Sequence, residues 1–442
     1  MYILLLIYLI FILILSIKGY DKTKSDSSYF FSSFKTKTYQ SYLSIVATET
    51  SVATILIFPS VGYNKNFNII FLCLGYIIGR FIVALLYLKH YHKIPSLSLY
   101  EYISDDKGKR LLSFAYLLAK YISGSVRYYL AGYGLYQLTG LSIEFWLVFV
   151  LILIGVYSLT GGLKAVILTD VLQGMIILLS SILFFYFLDQ NNLDLLVGLQ
   201  TQIQFDPKIS FFLLFGSILL TISSHGGDQD ILQRLFSVAE LKDAQRSLII
   251  SGFITSFVIL IFVVIGYMLT NNQLDKNSPL LDFISKLDDS WNSLIIKNIF
   301  IVVLTAAAMS TLDSSIHSTG AIWKSILEFK KDYSNYFYSL ISLCIMFLFS
   351  FIFIFLQTNK DFLSFALGSM NYINGTLFAT VTLFVIHKKK LNRNSILIIL
   401  VANLITTAIC EYYSLYFALT TIISFFVSLI LGWIFFIVLK NN

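Results

Sequence analysis

Long apolar segments recur from one end of this 442-residue chain to the other. Each contains roughly 17 to 25 residues, and a helix of that length crosses about 30 Å of hydrocarbon. Because lipid offers no hydrogen bonds to an open strand, a chain that crosses it repeatedly must do so as helices. Hydrophobic residues make up 57% of the chain and charged residues only 12%, which is unlike a soluble domain. The sequence therefore predicts an all-α integral membrane protein.

Hydropathy and loop-breaking residues predict about thirteen transmembrane helices. Their predicted ranges are 2–17, 40–58, 68–88, 110–138, 142–159, 164–188, 209–233, 247–270, 298–324, 334–357, 362–386, 395–413 and 415–438. No basic residue precedes the first helix and no small-residue cleavage site follows it, so we expect a retained helix rather than a signal peptide. Residues 1–442 are expected to form a single transmembrane domain.

The lysines and arginines are distributed unevenly among the predicted loops. With the N-terminus outside, the cytoplasmic loops hold about 22 of them, Arg234 included, and the outer loops about 6. Since positive loops stay in the cytoplasm, we expect a multi-pass protein of the cell membrane with its N-terminus outside and its C-terminus in the cytoplasm. The formal charge of +7 does not indicate nucleic-acid binding, because the lysines lie between apolar segments and not along one face.

The predicted second helix has a polar interruption in the middle of its apolar sequence, SYLSIVATETSVATILIFPSVGY. The interruption comprises residues 48–51 and includes Glu49. A continuous helix would place this acid in mid-membrane, whereas transporters unwind helices at such places so that free carbonyls and helix ends can coordinate ions and substrate. We therefore expect a functional break. The alternative is that the threonines and the serine only hydrogen-bond to the preceding turn.

The predicted ninth helix contains a face of small and polar residues within AAAMSTLDSSIHS. The residues on this face, which follow the i, i+3, i+4, i+7 spacing of one helix side, are Ala307, Ser310, Thr311 and Ser314. Small residues can serve only to let helices approach closely. Asp313 and His317 lie beside the face, however, and close packing does not require a carboxylate. Because hard cations prefer oxygen ligands, we expect an ion-binding face, with close packing as the alternative.

Two further segments combine charge with a weakened helix. Asp170 lies about 9 Å inward from Lys164 at the predicted cytoplasmic boundary, where it could simply pair with a cation. The seventh helix reads TISSHGGDQDILQRLF, and its glycine pair is typical of a broken helix. His225 alone indicates little, since no HExxH or comparable metal-binding spacing is present.

Five segments resemble the sodium:solute symporter family and occur in the family's order: KSDSSYFFSS, IPSLSLYEYISDDKGKR, YSLTGGLKAVILTDVLQ, HGGDQDILQRLFSVAELKDAQR and AAAMSTLDSSIHS. The resemblance covers most of the chain and implies sodium-coupled symport of a small organic solute by alternating access. It also implies a LeuT-type fold with an extra first helix (2–17), two inverted five-helix repeats (40–188 and 209–386) and two additional helices (395–438). The broken helices implied are the second and the seventh.

The resemblance also implies the ligands of sodium. The principal site would take backbone carbonyls from Ala47, Thr50 and Ala307 and hydroxyls from Ser310 and Thr311. A possible second sodium site would contain Asp170, Asp313 and Ser314, with Asp313 replacing a hydroxyl of the relatives and so changing the charge. Glu49 falls where relatives have a short acid or an amide that faces substrate or ion. The other candidates for solute binding are Thr54, Arg127, Ser223 and His225.

Arg127 bears on the identity of the solute. It lies midway along the predicted fourth helix, and a guanidinium can form two hydrogen bonds to a carboxylate. The sialic acid branch of the family is similar in having an arginine on this helix that contacts the substrate carboxylate. The alternative is an internal ion pair with Glu49, Asp170 or Asp313. We expect sialic acid or another carboxylate as solute, or otherwise a sugar or an amino acid.

Two other classes of function stay open. A proton-coupled transporter would use Glu49, Asp170 and Asp313 as a relay and would work on a pH gradient without sodium. A polytopic membrane enzyme would need a nucleophile with a base, or a metal site, and the five scattered histidines provide neither. We therefore expect no enzymatic activity and no cofactor, with Na⁺ as the coupling ion. The expected partners are the solute, sodium and membrane lipid; the oligomeric state is left open, and a monomer is compatible with the sequence.

Overall fold

The structure is a computed structural model that describes residues 2–20, 25–32, 35–92, 94, 96–189, 204–288, 290–327, 334–356 and 362–438. Among these residues every regular element is a helix, and the only strand-like pairings are two isolated bridges. The α-helices are α1 (Ile3–Gly19), α2 (Asp26–Phe31), α3 (Thr38–Glu49), α4 (Val52–Tyr63), α5 (Ile69–Ile82), α6 (Leu99–Ile103), α7 (Asp106–Thr139), α8 (Ile143–Asp189), α9 (Pro207–Gly226), α10 (Gln229–Phe236), α11 (Leu241–Met268), α12 (Pro279–Ser285), α13 (Trp291–Ile326), α14 (Asn335–Leu356), α15 (Phe362–His387), α16 (Arg393–Tyr412) and α17 (Phe417–Val438). A π-helical segment (Val83–Tyr87) and a 3-10 turn (Leu88–His90) continue α5 to residue 90. The predicted all-α fold class is confirmed.

Eight of the described helices are long and apolar enough to cross a membrane, and the bent pair α3 and α4 provides a ninth candidate span. The total of about thirteen is not confirmed. The predicted helices 142–159 and 164–188 are the two halves of α8, which is kinked between them at Gly162. A straight helix of the same 47 residues would measure about 70 Å, more than twice the hydrocarbon thickness. Gly162 interrupts α8 with φ 64° and ψ −169°, and a positive φ favours glycine.

Both predicted helix breaks are present. The axes of α3 and α4 differ by 65°, because Thr50 and Ser51 between them have non-helical backbone angles. The amide of Ser51 donates to the carbonyl of Glu49 at 2.9 Å, which closes a tight turn. The second break separates α9 from α10 at Gly227 and Asp228, and the Asp228 side chain caps α10 by accepting from the amide of Asp230.

One of the charges assigned to the predicted loops lies inside the bundle. Arg234, counted above among the loop charges, is in fact fully buried within α10, because its partner is an acid inside the bundle. Of the loop lysines that entered the topology count, Lys22, Lys24, Lys93, Lys330, Lys331, Lys360 and Lys440 lie outside the described residues. The division into repeats 40–188 and 209–386, which correspond to α3–α8 and α9–α15, stays a prediction.

Helices α4 and α11 pack backbone against backbone. A Cβ atom added to Gly62 would lie 1.8 Å from the carbonyl oxygen of Val263, and one added to Gly266 would lie 1.8 Å from that of Pro59. Between helices in lipid, van der Waals contact at small residues replaces the hydrophobic effect as the main source of association. These two glycines therefore hold α4, the second half of the broken helix, against α11.

Replacing Gly266 with alanine should force α4 and α11 apart, since the new methyl meets a carbonyl rather than a flexible side chain. Overpacking of this kind costs about 1–3 kcal/mol, so the purified variant should melt at a lower temperature in detergent. Gly155→Ala is the matched control, because its Cβ would lie 3.6 Å from the Leu343 side chain, an ordinary contact. Equal melting temperatures of the two variants would show that the helices do not pack this closely.

Candidate ion and solute site

The break between α3 and α4 lies against the middle of α13. The Ser310 hydroxyl donates to the carbonyl of Ala47 at 2.9 Å. The Thr311 hydroxyl donates to the carbonyls of Ala307 at 2.9 Å and Thr48 at 3.3 Å. Four of the residues predicted for the principal sodium site, Ala47, Ala307, Ser310 and Thr311, are thus in direct contact. The Thr48 carbonyl, which the sequence reasoning missed, also contacts Thr311.

Thr50, the fifth predicted ligand, is fully buried at the end of the same break. Its hydroxyl has no hydrogen-bond partner among the described residues. The site therefore contains only carbonyl and hydroxyl oxygens, and the carboxyl end of α3 adds a partial negative charge. Such a set suits a hard monovalent cation, which would take the lone pairs of hydroxyls that now donate to carbonyls.

Asp170 of α8 forms an internal ion pair with Arg234 of α10. The Arg234 Nη2 lies 2.7 Å from the Asp170 Oδ2, and both side chains are fully buried. The Ser44 hydroxyl donates to the same carboxylate at 2.5 Å. From the sequence, Asp170 could have paired with a cation at the cytoplasmic boundary. Its partner is instead a cation inside the bundle. An arginine just after a glycine-pair break was the sequence signal that could have identified it.

Ser314 connects this ion pair to Asp313. Arg234 also donates to the Ser314 hydroxyl, and Ser314 donates to Asp313 at 3.2 Å. Asp313 accepts a second hydrogen bond from Tyr157 at 2.5 Å and has no ion-pair partner in the described part of the chain. The three residues predicted for the second sodium site are therefore in one network, but the Arg234 guanidinium already occupies the position between Asp170 and Ser314.

The Glu49 carboxylate is bonded by three other helices. Arg80 of α5 and His225 of α9 each contact one of its oxygens, and the Thr255 hydroxyl of α11 donates at 3.0 Å. Thr54 reaches only the carbonyl of Glu49, at 3.4 Å. The structure thus brings together three of the predicted solute-binding residues, Glu49, Thr54 and His225.

Ser223 has a separate environment, because its hydroxyl donates to the carbonyl of Asn374 in α15 at 2.7 Å. It lies on the last turn of α9 and therefore borders the second helix break. This contact joins the break to α15 rather than to the Glu49 cluster.

Arg127 of α7 is half-buried and makes no hydrogen bond or ion pair with the residues that the structure describes. Each acid proposed above as its internal partner is otherwise engaged, as the preceding contacts show. Asp228 and Asp230, the acids at the start of α10, do not bind Arg127 either, because both are paired with Lys120, at 2.9 and 2.7 Å. Among the described residues Arg127 is therefore a half-buried cation of the bundle whose guanidinium has no direct partner.

Residues 29–402 match the profile of the Sodium:solute symporter family. The chain belongs to this family. It is 22% identical over 353 residues to the sodium/sialic acid symporter SiaT of Proteus mirabilis, covering 72% of this chain and 69% of that protein. It is 25% identical over 310 residues to the human sodium/iodide cotransporter, covering 63% of this chain and 47% of that protein. The protein is accordingly a multi-pass, sodium-coupled solute transporter.

The fold agrees with this assignment. The solved structure of a Na⁺-coupled sialic acid symporter, in a substrate-bound outward-open state, superposes with a TM-score of 0.83 at 21% identity. The alignment covers 98% of this chain and 96% of that one. MhsT in complex with L-phenylalanine superposes with a TM-score of 0.58 at 13% identity. The predicted LeuT-type fold is confirmed.

Proposed function

We propose that this transporter carries a small carboxylate-bearing solute, with sialic acid as the first candidate, and that Arg127 binds the carboxylate. The observation that carries the proposal is the half-buried guanidinium of Arg127, which has no direct partner among the described residues. Ionisable residues in membrane-spanning helices are rare, face the bundle interior or a water-filled cavity, and either have a partner or mark a substrate path. A solute carboxylate would supply that partner with two hydrogen bonds in one plane.

Two features support this choice of solute. Glu49, Asp170 and Asp313, the internal partners considered for Arg127, are held by other side chains. In addition, a second relative that is 23% identical over 360 residues is a sodium/sialic acid symporter, NanT of Aliivibrio fischeri. Thr54, Ser223 and His225 remain our candidates for further contacts with the solute.

We further propose that sodium binds at the principal site formed by the carbonyls of Ala47, Thr50 and Ala307 and the hydroxyls of Ser310 and Thr311. The close contacts between the α3 break and α13 support this assignment. For the second site, formed by Asp170, Asp313 and Ser314, we propose occupation only in a conformation in which Arg234 has left Asp170. Two carboxylates and one guanidinium would otherwise have to share that volume with the ion.

For the orientation we propose an outer N-terminus and a cytoplasmic C-terminus in the cell membrane, as the loop charges favour.

The Ser310→Ala and Thr311→Ala variants test the sodium site. Each keeps the helix surface small but removes one oxygen ligand, so the half-saturating sodium concentration should rise by about tenfold or more, equivalent to about 1.4 kcal/mol. Solute affinity at fixed sodium should fall and should recover at high sodium, because linkage is reciprocal. The measurement is sodium-dependent uptake into proteoliposomes, with the amount of folded protein as control. Wild-type sodium dependence in both variants would show that this face of α13 only packs against other helices and does not bind sodium.

Uptake of a panel of sialic acid, sugars, amino acids and simple carboxylates, with and without a sodium gradient, tests the solute. For the best anionic substrate, Arg127→Lys should weaken affinity by about tenfold, because a point charge replaces a planar fork. Arg246→Lys is the control, since its side chain is 71% exposed. An uncharged sugar as best substrate, or equal affinities in wild type and Arg127→Lys, would contradict the role of Arg127.

Cysteines introduced one at a time at Lys276 and Lys389, both exposed, test the orientation. An impermeant thiol reagent applied to intact cells should label the first and not the second, after subtraction of labelling at the native cysteines. Labelling of both positions from outside would overturn the proposed topology.

A further inference from the structure

Glu49 is the last residue of α3 and stands between the two helix breaks. Its backbone belongs to the first break, where its carbonyl accepts from the Ser51 amide at 2.9 Å. Its neighbours in sequence are Thr48, whose carbonyl contacts Thr311 of α13, and Thr50, a proposed sodium ligand. Any ion that orders this turn must therefore also order the Glu49 backbone.

The side chain of Glu49 extends in the opposite direction, to the second break. His225, which it contacts, is one residue from the end of α9 at Gly226. Arg80 contacts the other oxygen of Glu49, and its Nε lies 3.1 Å from the same His225 Nε2 that contacts Glu49. The three side chains form a closed triangle that joins α3, α5 and α9.

The triangle is largely buried and contains an ion pair. The side chain of Glu49 is 14% exposed, and that of Arg80 is 2% exposed. Hydrogen bonds between ionised groups, such as that between Arg80 and Glu49, are shorter and stronger than neutral ones. Movement of α5, α9 or α11 relative to the first break would therefore separate Glu49 from Arg80, His225 or Thr255.

We propose that Glu49 is a positioning residue that transmits sodium binding at the first break to the second break. The proposal rests on the principal sodium site described under Proposed function. An ion that orders the carbonyls of Ala47 and Thr50 fixes the Glu49 backbone, and the carboxylate then holds His225 and the end of α9 in place. Glu49 is thus neither a sodium ligand nor a direct contact of the solute.

Hydrogen–deuterium exchange of the full-length protein in lipid nanodiscs, with sodium or choline chloride alone, tests this role without any solute. In the wild type, sodium should slow exchange at both breaks, in peptides covering residues 47–52 and 223–229, by about fivefold or more, the lower end of ordinary coupling between sites. In Glu49→Gln, sodium should slow exchange only in the first peptide. Glu101→Gln makes the same chemical change on the partly exposed α6 and should behave as the wild type.

Glu49→Asp provides a second variant if Glu49→Gln does not fold, because it keeps the charge but is too short to reach Arg80 and His225 together. A purely structural role for Glu49 would raise exchange at both breaks with or without sodium, and that result would contradict the proposal. So would an undiminished effect of sodium on the second peptide in both variants. If sodium protects neither break in the wild type, the principal sodium site fails and the coupling role fails with it. If Ser310→Ala loses protection at both breaks while Glu49→Gln keeps it, only the role of Glu49 is wrong.

Discussion

A helix that stops inside a membrane leaves backbone carbonyls and amides without water, so the chain must supply their partners from its own side chains or from a bound ion. Much of this structure is organised around two such interruptions. At the first, the hydroxyls of Ser310 and Thr311 satisfy the carbonyls of Ala47 and Thr48. At the second, the Asp228 side chain caps the start of α10. Ser310 and Thr311, which satisfy the first break, are also the side-chain ligands proposed for sodium.

The buried charges follow the same rule of internal compensation. Arg80 is paired with Glu49, Lys120 with Asp228 and Asp230, and Arg234 with Asp170. Removing one member of such a pair leaves an uncompensated charge, which is strongly destabilising. Arg127 is different because no described residue compensates it by direct contact. This contrast between three paired cations and Arg127 is the reason for proposing Arg127 as the residue that binds the solute.

Several features of the site could be predicted from the sequence because they depend on local spacing. Residues 307, 310, 311 and 314 share a face in any α-helix, and an acid within an apolar segment predicts a break at residues 48–51. Other assignments failed because they depend on distant residues. Arg234 looked like a loop charge, because its buried partner Asp170 lies 64 positions away in the sequence.

By itself the sequence determined the fold class, the two helix breaks and the family, because hydrocarbon thickness and helical periodicity act on neighbouring residues. Tertiary structure alone decided which charges are paired. Glu49 and Arg80 are 31 positions apart, Asp170 and Arg234 are 64 apart, and Lys120 and Asp228 are 108 apart. Coulomb attraction depends on separation in space and on burial rather than on position in the chain. Only the packed bundle could therefore show that Arg127 has no partner in the described part of the chain.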